Sequence, residues 1–221
     1  LALTDKGMPE NCVQILRSGK RQEVKNLVSM TDCVDVVIPR GGRSLVEFIK
    51  SEAKVPVFAH LEGIVHIYVH NKADLDIAKA VVLNSKSRRP GICGAVETLL
   101  IDKEFHDQYG EELINFLITQ GIEIRANKKQ FNNKLIVDIS SSDYGFEFLE
   151  NILAVKVVED INSAISHIRT FGSNHTDCIL TNDEASRELF FKKLDSSILL
   201  CNASTQFADG GEFGFGAEIG I

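Results

Sequence analysis

The chain has 221 residues, 44% of them hydrophobic and 25% charged, with a formal net charge of −7. This suits one large or two modest globular domains with a real core, and the acidic balance argues against a general nucleic-acid binder. No apolar run reaches membrane-spanning length and no cationic-then-apolar leader opens the sequence, which predicts a protein working away from membranes.

Regular elements are predicted from residue 12 onward. Cys12–Leu16 reads as a short strand, Arg21–Met30 as an amphipathic helix, and the continuous apolar run Val34–Ile38 as a buried parallel strand. After Pro39-Arg40-Gly41-Gly42, Ser44–Ala53 reads as a helix and Val55–Phe58 as a strand. This β-α-β-α-β order is that of a doubly wound layer, whose ligands lie at the carboxyl ends of the strands. A second series follows: strand His66–Val69, helix Asp74–Ser85, strand Val96–Ile101, a long helix Glu104–Gln120, and strands at Ile122–Arg125 and Leu135–Asp138. The pattern then repeats with strand 154–158, helix Asn162–Thr170, strand Cys178–Leu180, helix Asp183–Lys193 and strand Ser197–Cys201. A tail rich in Gly and Phe closes the chain, and no low-complexity linker interrupts it, so a domain boundary is placed near residue 60. The chain opens on Leu1-Ala2-Leu3 without a cap and stops within the apolar pattern of Glu218–Ile221, which points to a piece of a longer protein.

Five cysteines (Cys12, Cys33, Cys93, Cys178 and Cys201) stand at irregular spacings, with no C-x-x-C pair and no Cys/His array. No metal site and no disulfide framework are expected, and the reducing cytoplasm is the compartment that fits. Most of these thiols should be small buried apolar groups. Cys93 differs in its surroundings: it falls on a loop between a helix and a strand, among small residues, after Arg89-Pro90-Gly91-Ile92. Such junctions carry nucleophiles, although spacing alone favours a structural cysteine. Lys86, Arg88 and Arg89 form the one tight basic cluster beside it. Arg88 and Arg89 suit either a substrate phosphate or a solvated face.

Ile38-Pro39-Arg40-Gly41-Gly42-Arg43, the stretch from His60 to Val69, the stretch from Asn84 to Leu100, Asp195-Ser196-Ser197, and Asn202-Ala203-Ser204-Thr205 with Asp209–Ile221 occur in one order along the chain. Together they resemble the motifs of the gamma-glutamyl phosphate reductases (glutamate-5-semialdehyde dehydrogenases), in the aldehyde dehydrogenase superfamily. The resemblance implies an α/β, aldehyde dehydrogenase-like fold: residues 1–60 would be the end of a doubly wound NADP-binding domain, and residues 61–221 an α/β catalytic domain, incomplete at its C-terminal end. It implies reduction of L-glutamyl 5-phosphate by NADPH in proline biosynthesis, with Cys93 as the nucleophile that forms a thioester. A thiolate suits this step because it attacks strongly and leaves readily.

By the same resemblance Gly41, Gly42 and Glu147 would contact the cofactor, and His66, Asn202, Gly214 and Phe215 the substrate. Each has a bland alternative: His66 as a satisfied strand histidine, Gly41 and Gly42 as a simple turn, Glu147 as a solvated surface carboxylate, and Asn202 with the tail glycines as a packing loop. Glu62 is read as structural, since an acyl-phosphate reductase gains nothing from a base that activates water. A homo-oligomer and a glutamate 5-kinase are the implied partners. The chain departs from the motifs at Val65, His70, Gly94 and Gln206, where the family pattern has cysteine, aspartate, asparagine and arginine. These departures and the missing regions leave open a second reading, a catalytically inactive remnant that keeps only the catalytic-domain fold.

Overall fold

The amphipathic spacing of Arg21–Val28 and Arg43–Glu52 yields two helices, α1 and α2, whose apolar sides bury Val28, Val46 and Ile49. They appear in a computed structural model that describes residues 3–59 and 62–216, with the backbone alone at Arg43. A Lys25–Glu52 ion pair at 2.6 Å ties the two helices, as does Arg21, which donates to Ser44 Oγ at 3.2 Å and lies over the Phe48 ring. The strands expected here do not form as such. Val34–Ile38 and Val55–Phe58 meet in one parallel bridge, Val37 to Val57, and Val36 is exposed. Cys12–Leu16 is not a strand: Glu10–Cys12 is a short 3-10 turn, and Val13 and Ile15 are 71% and 91% exposed. Strand conformation needs a hydrogen-bonded neighbour, and among the described residues of this unit only that one pair of segments supplies it.

A second compact unit begins at residue 62. The boundary expected near residue 60 falls on His60 and Leu61, which lie outside the described residues, as do residues 217–221 of the tail motif. The unit is built as β1 (Val65–Val69), α3 (Leu75–Ser87), β2 (Val96–Asp102), α4 (Lys103–Phe105), α5 (Glu111–Thr119), β3 (Glu123–Ala126), β4 (Val137–Asp138), β5 (Ile152–Val158), α6 (Ile161–Phe171), β6 (Thr176–Leu180), α7 (Glu184–Lys193) and β7 (Ile198–Cys201). The strands form one sheet in the order β4-β3-β5-β2-β1-β6-β7, every pair parallel. Parallel strands are covered on both faces, so β1 and β2 are buried along their whole length and show no alternation.

Aspartates set the helix starts. Asp74, Asp160 and Asp183 accept the N–H of Ile77, Ser163 and Ser186, capping α3, α6 and α7. The long helix expected over Glu104–Gln120 is interrupted by a π-turn at His106–Gly110, where Gly110 lies so close to the His106 ring that a β-carbon would sit 2.5 Å from it. One face of the sheet packs Ile67, Leu99, Ile101 and Val155 against Val82 of α3 and Leu113 and Leu117 of α5. The other packs Tyr68, Leu100 and Ile179 against Ile165 and Ile168 of α6 and Phe190 of α7.

A mostly polar row, interrupted at Ala154, crosses this second face. Arg125, Ala154, Thr98, His66 and Asp177 stand in register on five neighbouring strands. His66 Nδ1 lies 3.2 Å from Asp177 Oδ1, and Asp177 also accepts from the His66 main chain and from Ser196 Oγ. The Asp195-Ser196-Ser197 motif therefore fastens the start of β7 to the core. His167 of α6 meets His66 edge-on, with Lys156 Nζ 3.2 Å from its Nδ1.

Burial, with smaller contributions from His66 and Lys156, pushes the His167 imidazolium down to about 3. A histidine held neutral in the fold contributes stability that is complete above its ordinary value and is lost as pH falls through the folded value. Urea unfolding followed from pH 7 downward should show stability declining between about 6.5 and about 3. That decline should be distinctly shallower in a His167→Gln variant.

Candidate active site

Pro90 cannot donate a main-chain hydrogen bond and disfavours helical geometry at Arg89, so α3 ends and the chain turns toward β2. Ala95 N–H closes a tight turn on Ile92 O at 2.9 Å, and Cys93 stands exposed on it while Gly94 and Ala95 are buried. The turn lies just before the first residue of β2. It is therefore at the amino edge of this sheet.

Three segments converge at this edge, each preceding one of the adjacent strands β1, β2 and β5. Gly63, ahead of β1, packs directly on the Cys93 turn: a β-carbon at Gly63 would sit 2.3 Å from Cys93 O and 2.7 Å from Cys93 Cα. Only glycine permits that approach. Gly63 N–H donates to Glu147 Oε1 at 3.0 Å, which brings in the segment ahead of β5. Leu149, two residues on, has a φ of 58°, a left-handed conformation rare for a bulky side chain.

Beneath the turn lies a fully buried ion pair. Lys86 Nζ donates to Glu97 Oε2 at 2.6 Å with both side chains essentially inaccessible. The second oxygen of Glu97 accepts from Leu149 N–H at 3.4 Å. Burial drives each group toward its neutral form, raising the Glu97 carboxyl to about 7 and lowering the Lys86 ammonium, while each opposes the shift of the other. Sequence reasoning missed this pair and Gly63. The legible signal was a glutamate inside the otherwise apolar run of β2, a place where a charge needs a partner.

The segment after β7 reaches the same turn. Asn202 reverses the chain with a φ of 52°, and Thr205 N–H donates to Ser85 Oγ at 3.0 Å at the end of α3. Gln206 Nε2 donates to the carbonyls of Ser85 and Arg89. Gly94 lies against this segment, and a β-carbon there would be 3.1 Å from Thr205 O and 3.7 Å from Gln206 Cα. The two departures, Gly94 and Gln206, are thus neighbours. Arg88 donates to Glu212 at 2.8 Å and lies over the Phe207 ring, so it holds the tail.

The expected site residues are distributed unevenly. Cys93 and Glu147 meet around Gly63. Gly214, in a left-handed turn, and Phe215, 78% exposed, belong to the tail that Arg88 anchors. His66 requires correction: it is 0% exposed inside the sheet, with no surface to offer a substrate, and its role is the buried contact with Asp177. Asn202 is also redirected, since its amide accepts from Thr181 N–H and donates to Thr181 O, fixing the chain reversal. Gly41 and Gly42 belong to the first unit. Gly42 opens α2 with no side-chain cap and open space where a β-carbon would stand, the kind of helix start that accepts an anionic or polar ligand group. Cys178 is buried and donates its S–H toward Ala203 O, with its thiol pushed up to about 12 chiefly by burial. No cluster of metal-ligating side chains is present among the described residues, and none of their helices is long and apolar enough to cross a membrane.

A solvent-facing cysteine at the amino edge of a parallel sheet, braced by a glycine and a carboxylate, is a thiol site on an α/β frame. The chain belongs to the aldehyde dehydrogenase family, whose sequence model matches residues 1–128. Within that family it is 48% identical over 221 residues to a gamma-glutamyl phosphate reductase of Methylobacterium nodulans, an alignment that takes in 99% of this chain and 51% of the relative. It is likewise similar to the crystal structure of gamma-glutamyl phosphate reductase from Thermotoga maritima, with a TM-score of 0.93 and 35% identity over 100% of this chain and 53% of that one. An acetylating aldehyde dehydrogenase from Geobacillus thermoglucosidasius shares the fold at 19% identity and a TM-score of 0.73, covering 96% of this chain and 55% of its own. The chain spans about half the length of the curated relatives it matches.

Gly63→Ala should force the Cys93 turn to shift, at a cost of about 1–3 kcal/mol for overpacking. Circular dichroism should show the sheet intact. Iodoacetamide labelling of Cys93, resolved by peptide mass spectrometry, should change while labelling of Cys12 and Cys33 does not.

Proposed function

We propose that this chain is the cysteine-bearing part of a gamma-glutamyl phosphate reductase, which reduces L-glutamyl 5-phosphate to L-glutamate 5-semialdehyde with NADPH in proline biosynthesis. The observation that carries the reading is the exposed Cys93, set on a turn that Gly63 and the Glu147 carboxylate brace from the segments ahead of the two neighbouring strands. The likeness to named reductases along 99% of the chain supports the substrate.

The Cys93 thiolate attacks the acyl carbon. A carbon–sulfur bond forms, the bond from that carbon to the phosphate oxygen breaks, and phosphate leaves with the electron pair. When bound, NADPH would supply the hydride that reduces the thioester to the aldehyde, with the carbon–sulfur bond broken and the Cys93 thiolate returned. In this reading main-chain N–H groups of the turn would donate to the oxygen of the tetrahedral intermediate. Glu147 and the start of α2 at Gly41 and Gly42 are the groups assigned to the cofactor. The uncapped, open start of α2 fits a polar part of it. Gly214 and Phe215 are assigned to the substrate mouth. Glu97 is buried and paired with Lys86, so it offers no base to activate water against the thioester. Self-association and a glutamate 5-kinase that delivers the labile acyl phosphate complete the proposal.

The first half-reaction needs no cofactor and tests the reading on this chain directly. Incubation with acetyl phosphate as an acyl-phosphate probe should place one acyl group on Cys93, removable by hydroxylamine and absent in Cys93→Ala. Equal acylation of Cys12 and Cys33, or none at Cys93, would count against the assignment. With L-glutamate 5-semialdehyde, phosphate and NADP+, formation of reduced nicotinamide should fall by about a thousandfold or more in the same variant.

A further inference from the structure

The ion pair beneath the nucleophile turn belongs to none of the roles above, yet every brace of the turn leads to it. We infer that Lys86 and Glu97 are positioning residues, a buried link that holds Cys93 and the Glu147 carboxylate in one fixed geometry. In its bearing on rate the inference rests on Cys93 as the nucleophile; in its geometry it does not.

Lys86 lies in the last turn of α3 and Glu97 is the second residue of β2, so the whole Cys93 loop runs between them. Their 2.6 Å bond closes the neck of that loop. Arg89, Gly91, Ile92 and Cys93 along it are exposed or nearly so, and apolar packing does little to fix its shape. The same carboxylate reaches sideways: its other oxygen receives the N–H of Leu149, with that of Phe148 also directed at it. Leu149 is held left-handed while its side chain is exposed, so the hydrogen bond, and not side-chain burial, stands against the conformational cost.

From Leu149 the path returns to its start. Glu147 grips Gly63 N–H, Gly63 presses on the Cys93 main chain, and the Leu149 carbonyl lies beside Gly91. Cys93, Glu97, Leu149, Glu147 and Gly63 thus form a closed circuit, with one carboxylate serving two segments at once. A pair of apolar side chains could fill the same space, but could neither staple the neck nor receive a main-chain N–H. Replacing a buried ion pair by apolar groups of similar size commonly leaves a fold as stable as before. Stability and positioning can therefore be separated by experiment.

The test compares the 221-residue chain with Lys86→Met/Glu97→Leu and with Glu97→Gln, by peptide-resolved hydrogen exchange and by acylation with acetyl phosphate. In the double variant, amides of residues 89–95 and 147–149 should exchange faster together, by about tenfold or more, while β1, β2 and β6 keep their protection. Acylation of Cys93 should slow by a similar factor, although iodoacetamide still reaches the thiol. Glu97→Gln retains an acceptor for Leu149 without the ion pair, so residues 147–149 should stay protected and 89–95 loosen; this variant decides the matter if the double variant does not fold. Unchanged exchange in both segments, or loosening of all the strands alike, would overturn the inference. Failure of the unaltered chain to be acylated would instead remove the nucleophile assignment and leave the exchange result to decide on the link.

Discussion

A parallel sheet must be covered on both faces, and this constraint decides where chemistry can sit in the second unit. α3 and α5 take one face and α6 and α7 the other, which leaves the strand ends open to a ligand. The amino ends of β1, β2 and β5 are neighbours in the sheet although 31 residues separate the starts of the first two, at Val65 and Val96. The approach to each of these strands thereby becomes a wall of one site: Gly63 ahead of β1, Cys93 ahead of β2, and Glu147 ahead of β5.

Close contact within that site is made through the main chain. Gly63 lies where a side chain would overlap the Cys93 backbone, and a β-carbon at Gly94 would stand tight against Thr205 O at 3.1 Å. Backbone-to-backbone packing leaves few degrees of freedom, so the Cys93 turn is held in a narrow range of positions. It also links the two departures from the family motifs. A small residue at 94 leaves room for the 204–206 segment to lie on the end of α3, where Gln206 supplies two hydrogen bonds.

The buried Lys86–Glu97 pair spans the Cys93 loop. Losing one partner of a buried pair commonly costs about 3–5 kcal/mol, whereas exchanging both for apolar groups can be neutral. Lys86–Glu97 is thus better understood as a source of geometry than of stability. The polar row through His66 and Asp177 anchors β7 to the core through Ser196 in a related way.

Local pattern in the sequence determined most elements of the second unit. Short predominantly apolar segments marked β1, β2, β5 and β6, and the helices after Asp74, Asp160 and Asp183 begin at their aspartate caps, because hydrophobic pattern and capping act over a few residues. The exposed loop at Cys93 was legible for the same reason, from Pro90 and the small residues around it. The first unit was misread at Cys12–Leu16 and at Val34–Ile38, since a strand exists only when another segment hydrogen-bonds to it, and the local pattern does not reveal that partner. Tertiary structure alone decided that His66 is sealed in the core, that Asn202 turns the chain, and that Lys86 meets Glu97 across the Cys93 loop. Each of these depends on which segments the parallel sheet and its covering helices bring together, and contacts between residues distant in sequence are set by that topology.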